Sequence, residues 1–450
     1  MNLRTLKTLK MKKIFLSILG FCFLIANAQE TVYPAGKQTQ PIAITGATVH
    51  IGNGQVLNNA TVVMVNGKVT AVGTGIQVPA GAQRIDATGK HVYPGLILAS
   101  SNLGLVEISS VRASNDAREI GDMNPDIRTI TAYNVDSKII NTLRSNGVLL
   151  ANVVPEGGLL SGTSSIVQLD AWTTEDATYK ADQGIHLNMP SLMAAPTRRF
   201  GGGGGVGGPN AQQQSDPVKE GLDRVDRIKS FLREAKAYLA EPAHEQTNLK
   251  YESVKGLFDK SQKFYVHANT VKQMLVALDF VTEFGFDVVI VGGSDSWRIA
   301  DLLKQHNVSV ILNQMHSLPT AADDDVDQPY KTPALLQKAG VTFAINDEDS
   351  QNRGRNLMFN AGTAAAYGLN KEEALQAITL NAAKCLGIEK QTGSIEVGKD
   401  ANIIISDGDI LDMRTSQVTH AFIQGRNIDL NDKQKQLHER YLKRFNLKQF

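Results

Sequence analysis

Cysteine is nearly missing from this sequence. Two occur in 450 residues, Cys22 and Cys385. Cys22 lies in an apolar run, 14–25, that reads as part of a leader, so the mature chain keeps one thiol. One cysteine forms no internal disulfide, and the fold must be held by its core. Cys385 sits on the apolar face of a predicted helix, 372–386, and reads as packing rather than as a nucleophile. Excess charge of either sign is missing too: 46 Lys and Arg face 45 Asp and Glu, a net charge of +1. That balance gives no electrostatic case for a nucleic-acid partner or an anionic membrane surface. A long hydrophobic run is also lacking. The stretch 14–25 is too short to span a bilayer well, so no membrane span is expected after the leader is removed.

What is present at the N-terminus has the order of an export signal. Lys12-Lys13 precede the apolar run, and Ala26-Asn27-Ala28 follow it before Gln29. A basic segment, an apolar segment and a small-residue cleavage site together predict a signal peptide, residues 1–28, and a periplasmic or secreted protein. Met11 is the natural start of such a signal. Bulky Phe21 before Cys22 argues against a lipidated cysteine.

The remaining length suits one large domain and a small one. Residues 41–90 and 391–430 are rich in short β signals. Asn66-Gly67 in "ATVVMVNGKVTAVG" predicts a two-residue hairpin turn, and Gln424-Gly425 a second turn near the other end. These flanks are expected to form a small β-sandwich. Between them, 91–390 alternates. Strands are predicted over 147–154, 264–268, 287–291, 308–313 and 341–346, with helices over 271–284, 296–306, 333–338, 356–367 and 372–386. Continuous apolar runs suit parallel strands buried on both faces, and repeated strand–helix units at this length predict an α/β fold, a (β/α)8 barrel. Residues 198–216, "RRFGGGGGVGGPNAQQQSD", cannot bury a core and are expected to be a flexible insertion. No strand runs into them and no Lys-Ser/Thr follows, so a phosphate cradle is disfavoured. The tail 433–450 is charged and reads as helical or frayed.

In a barrel the chemistry sits at the C-terminal strand ends. Those ends carry Ser100 and Asn102, His267 in "FYVHAN", Gly292-Gly293 in "VVIVGGSDSW", His316 after "ILNQM", and Asp347 in "FAINDED". Together with "GKHVYPGLI", "NPDIRTITAYNVDS", "GGLLSGTSSIVQL", "VHANT" and "EEALQAITLNAAKCLGIEKQTGSIEVGKDANIII", they resemble the amidohydrolase superfamily, in the branch related to imidazolonepropionase. The resemblance implies a (β/α)8 barrel with a small β-sandwich built from both chain ends. It also implies hydrolysis of carbon–nitrogen bonds by water held on divalent metal.

Carried across residue by residue, the implied metal site is incomplete. The first-strand His-x-His falls on Ser100 and Asn102, poor zinc ligands. The bridging-lysine region falls near His186, in "GIHLNMPS". The fifth-strand histidine is His267. The sixth-strand histidine falls on Gly292. The last-strand aspartate, metal ligand and proton acceptor, is Asp347. A catalytic zinc site wants about three protein ligands and an open position, and His267 and Asp347 alone stand where the resemblance requires them. His186 or His316 is needed for a third. The ligand count favours weak metal binding or none over a single divalent ion such as zinc.

Each of these residues also has a plainer reading: His267 as a hydrogen-bonded remnant of the mouth, Asp347 as the ion-pair partner of Arg353 or Arg355, and His316 as a loop former. The run Asp323-Asp324-Asp325-Val326-Asp327 reads as a solvated loop or as a site for a hard cation or an amine. Ser100 and Ser101 have no neighbouring histidine to activate them.

Three functions follow. The first is a degenerate amidohydrolase binding a small molecule in the barrel mouth, or pairing as a homo- or hetero-oligomer with a related amidohydrolase. The second is an atypical hydrolase of a cyclic amide or peptide-like substrate, with Asp347 as base and His267 as acid or ligand. The third is an interaction protein docking through the Gly-rich and acidic loops.

Overall fold

A computed structural model describes residues 32–193, 216–313, 315–347 and 353–447. The predicted signal, 1–28, and residues 198–215 of the Gly-rich insertion lie outside them. The chain divides into Met1–Tyr33 and Pro34–Phe450, and every described strand and helix belongs to the second. Among the described residues no helix is long and apolar enough to cross a membrane.

The N-terminal flank supplies β1 (Ile42–His50), β2 (Val56–Val65), β3 (Lys68–Gly73), β4 (Gln83–Asp86) and β5 (His91–Pro94). β2 and β3 form the predicted hairpin. Asn66 and Gly67 both take positive φ, 49° and 79°, as a tight two-residue turn requires.

The middle of the chain supplies β6 (Leu96–Ser101), β7 (Val148–Val153), β8 (Leu160–Gln168), β9 (Thr178–Asn188), β10 (Lys263–Ala268), β11 (Val288–Gly292), β12 (Ser309–Leu312) and β13 (Phe343–Ile345). These eight lie side by side in chain order in a second sheet. Most neighbours are parallel, as predicted, but β8 runs antiparallel to both β7 and β9. This corrects the expectation of an unbroken parallel repeat. The cause is chain length: six residues, 154–159, join β7 to β8, and a parallel crossover needs about a dozen or more.

β14 (Ile403–Ser406), β15 (Val418–Ile423) and β16 (Arg426–Asn427) complete the first sheet, in the order β16-β15-β14-β5-β1-β2-β3, with β4 beside β1. The expected sandwich is thus one sheet, not two separate ones. It curls back on itself: Lys68 bridges Asp400, and Ala401 N–H donates to Gly67 O at 2.8 Å. Ile44, Val62, Met64, Ile403 and Phe422 fill the curl.

The interior of the second sheet is packed. Ile97, Ala99, Leu150, Ile166, Tyr265, Val289, Val291, Ile311 and Ala344 meet inside it, joined from one end by Ala382, Ala383 and Cys385. Cys385 is therefore core, and burial pushes its thiol up to about 12. The predicted helix 372–386 is two, Lys371–Ala377 and Leu380–Cys385. The outward strand residues pack under the remaining helices in the largest core.

The edges β6 and β13 share no ladder, yet a side chain joins them. Asn346 Nδ2 donates to Ser100 O at 2.8 Å, and Ser100 N–H donates to Asn346 Oδ1 at 3.1 Å. One carboxamide thus makes both bonds that a strand would make. It also donates to Asn313 Oδ1 at 2.8 Å.

Candidate active site

The C-terminal ends of β6, β7, β9 and β10 surround a cavity of about 380 Å³. Ser100, Ser101, Asn102, Arg118, Glu156, Asn188 and His267 are on its wall, with the Gly157-Gly158 turn between β7 and β8. Strand alternation explains His267: Tyr265 points into the interior, so His267, two residues on, does too. The β6–β7 register is irregular between Leu98 and Ser101, which brings Ser100, Ser101 and Asn102 all to the cavity. Asn102 Nδ2 donates to Glu156 Oε1 at 2.8 Å, and Arg118 approaches Glu156 at 3.6 Å. Asn188 Nδ2 is spent on Gly157 O, Gly158 O and Ser161 Oγ, fixing the turn.

His186 and His267 meet inside the mouth. Tyr265 pairs with His186 across the β9–β10 ladder, and the two rings stack with centroids 4.6 Å apart. His186 Nδ1 lies 2.9 Å from His267 Nε2. Burial pushes the His267 imidazole down to about 4 from its ordinary 6.5. Burial, then the neighbouring His267, holds His186 well below the ordinary value. Both rings are neutral near pH 7.

Asp347 is not among the described residues that line this cavity. Ala344 points inward, so the next inward position is Asn346, the clamp, and Asp347 turns toward the following helix, Leu357–Ala366. There Asn360 Nδ2 donates to its Oδ2 at 3.0 Å, and Arg353 Nη2 stands 3.0 Å from Oδ1. The Arg353 contact is an ion pair that is not aligned as a hydrogen bond. The structure therefore places His267 on the cavity wall and Asp347 against a cation.

The other candidates are also committed elsewhere. Gly292 has φ 103°, and a Cβ there would stand 2.3 Å from Asn269 Oδ1, so Asn269 holds the space a sixth-strand histidine would enter. His316 Nε2 bonds Thr363 Oγ1 at 3.0 Å, and its ring meets Tyr330 edge-on. In the acidic loop Asp324 pairs with Arg298 and Asp325 with Lys331, which suits a loop neutralised by its own cations.

Among the described residues no three or more His, Cys, Asp or Glu side chains stand together so as to hold a metal ion. The donor set fits a catalytic zinc poorly: His267 has one nitrogen engaged by His186, Asp347 is neutralised, and Ser100 and Asn102 are weak ligands. Sequence reasoning missed Asn269, Asn346 and Asn360. A signal existed for two of them: Asn346 adjoins Asp347, and Asn269 follows directly on the His267 strand.

Comparison with known proteins bears on ancestry. Residues 225–429 match the amidohydrolase family. An amidohydrolase of Hapsidospora irregularis is 22% identical over 380 residues, 76% of this chain and 37% of that protein. An imidazolonepropionase of Thermoplasma volcanium is 40% identical over 86 residues, 19% of this chain and 21% of that protein. The chain thus spans less than two fifths of the length of these curated relatives. The crystal structure of an amidohydrolase from Thermotoga maritima aligns with 86% of this chain and 99% of its own, with a TM-score of 0.72 and 24% identity. That is a likeness of fold.

Proposed function

Since the chain belongs to the amidohydrolase superfamily, a superfamily of hydrolases, we propose that it is a member whose mouth binds a small molecule without a catalytic metal. On this reading the second sheet is the superfamily's (β/α)8-type barrel, with β8 reversed and the Asn346 clamp closing β13 onto β6. The observation that carries the reading is the placement of Asp347. Its charge is met by Arg353 and its Oδ2 accepts from Asn360. A carboxylate already engaged by a guanidinium and a carboxamide has fewer lone pairs left for a metal ion. The cavity is lined by hydroxyls, carboxamides, the Arg118–Glu156 pair and a neutral histidine, and its volume suits a small ligand. The reading includes export, with 1–28 removed, and allows a second copy or a related amidohydrolase as partner.

The second reading, a hydrolase using Asp347 with His267, needs both groups at one substrate, and the cavity wall carries His267 alone of the two. Turnover of cyclic amides and dipeptides, with zinc or manganese added, separates the readings. The proposal expects no metal-dependent turnover. Metal-dependent turnover that vanishes in Asp347→Asn overturns it, and its loss in His267→Ala would establish the second reading.

A further inference from the structure

The His186–His267 hydrogen bond determines what His267 offers the cavity. The bond joins His186 Nδ1 to His267 Nε2, so one nitrogen carries a proton and the other does not. Each neutral ring has one N–H, so the bond allows two arrangements. If His267 Nε2–H donates, His186 must carry its own proton on Nε2. That atom is buried and has no hydrogen-bond partner among the described residues. If His186 Nδ1–H donates, only a lone pair is left at that buried position. An orphaned buried N–H is rarer than an under-used acceptor, and a buried donor without a partner carries the full desolvation cost. The second arrangement is therefore favoured. Tyr265, stacked on His186, keeps the ring plane that the bond requires.

We infer that His186 is a positioning residue that donates through Nδ1 and holds His267 as its Nδ1–H tautomer, so that the mouth cavity receives a hydrogen-bond donor. His267 then has no lone pair free for a metal or for a substrate proton: Nε2 accepts from His186 and Nδ1 carries the hydrogen. The ligand that suits this point is one with an acceptor oxygen, a carbonyl or a carboxylate. That last step rests on the small-molecule reading of the mouth. The tautomer itself rests on the pair of rings.

The test is two-bond 1H–15N correlation spectroscopy of the mature chain labelled with 15N-histidine, near pH 7. His267 signals are assigned by their loss in His267→Gln. The expected wild-type pattern is a protonated Nδ1 and a bare Nε2 on His267. His186→Asn keeps an N–H near the Nδ1 position and should preserve that pattern. His186→Phe removes the donor and should convert His267 to the Nε2–H form that histidine favours in water. A bare Nδ1 in the wild type overturns the inference, as does an unchanged pattern in His186→Phe. Because the wild-type spectrum decides alone, a variant that fails to fold does not rescue the idea. Metal analysis of the same sample tests the underlying reading separately. A metal-free protein with bare Nδ1 overturns the tautomer alone, whereas one equivalent of metal lost in Asp347→Asn overturns the small-molecule reading.

Discussion

At the scale of single residues, His267 links structure to pH. Its imidazole stays neutral in the folded mouth down to about pH 4, against an ordinary 6.5. Between those values the unfolded chain binds a proton that the native chain does not, so stability rises with pH across this window and falls as acid is added. The loss between pH 6.5 and 4 is on the order of 3 kcal/mol from this ring, and His186 acts in the same direction. Urea unfolding at a series of pH values should show the decline, and His267→Gln should show a shallower one. A flat profile would mean that the ring is more hydrated than its surroundings imply. The residue scale is also where sequence reading fell short. His267 could be placed from its strand, because alternation carries over from the apolar residues before it. The ion pair of Asp347 with Arg353 was legible as one of its two readings, but its place relative to the strand interior was not. Whether Asn346 or Asp347 faces inward depends on the alternation set by Ala344, and the short run "FAIN" does not reveal which of its residues are inside.

At the scale of elements, one carboxamide bridges the β13 and β6 edges of the second sheet. Asn346→Ala removes both bonds to the Ser100 backbone and the bond to Asn313. It leaves a buried N–H and C=O unpaired at the β6 edge, a cost of about 2–4 kcal/mol. The urea midpoint should fall by that amount with an unchanged slope, and a loss under about 1 kcal/mol would show that water replaces the clamp. The hairpin turns were legible because Asn-Gly and Gln-Gly sit where positive φ is needed. The direction of β8 was legible in principle, since six residues cannot make a parallel crossover. The repeat of strand and helix elsewhere concealed it. The curl of the first sheet was not legible, because it is made by backbone bonds between residues more than 300 apart in sequence.

At the scale of the whole molecule, a buried ion triad ties the two sheets together. Asp170, just past β8, is fully buried between Arg144 at 2.6 Å and Arg426 of β16 at 2.7 Å. Ala35 N–H also donates to it at 2.9 Å. Asp170→Asn would leave two guanidinium groups without the carboxylate between them, at a cost of about 3–5 kcal/mol. Calorimetry should show one transition, displaced downward. Two separated transitions would mean that the sheets unfold independently and the triad is not their link. We propose that the mouth binds its ligand without a catalytic metal. Plasma mass spectrometry tests it most directly, on mature protein purified without chelator or affinity tag, with Asp347→Asn in parallel. The account predicts far less than one equivalent of zinc, manganese or iron in both samples. Near one equivalent in the wild type that falls in Asp347→Asn would contradict it.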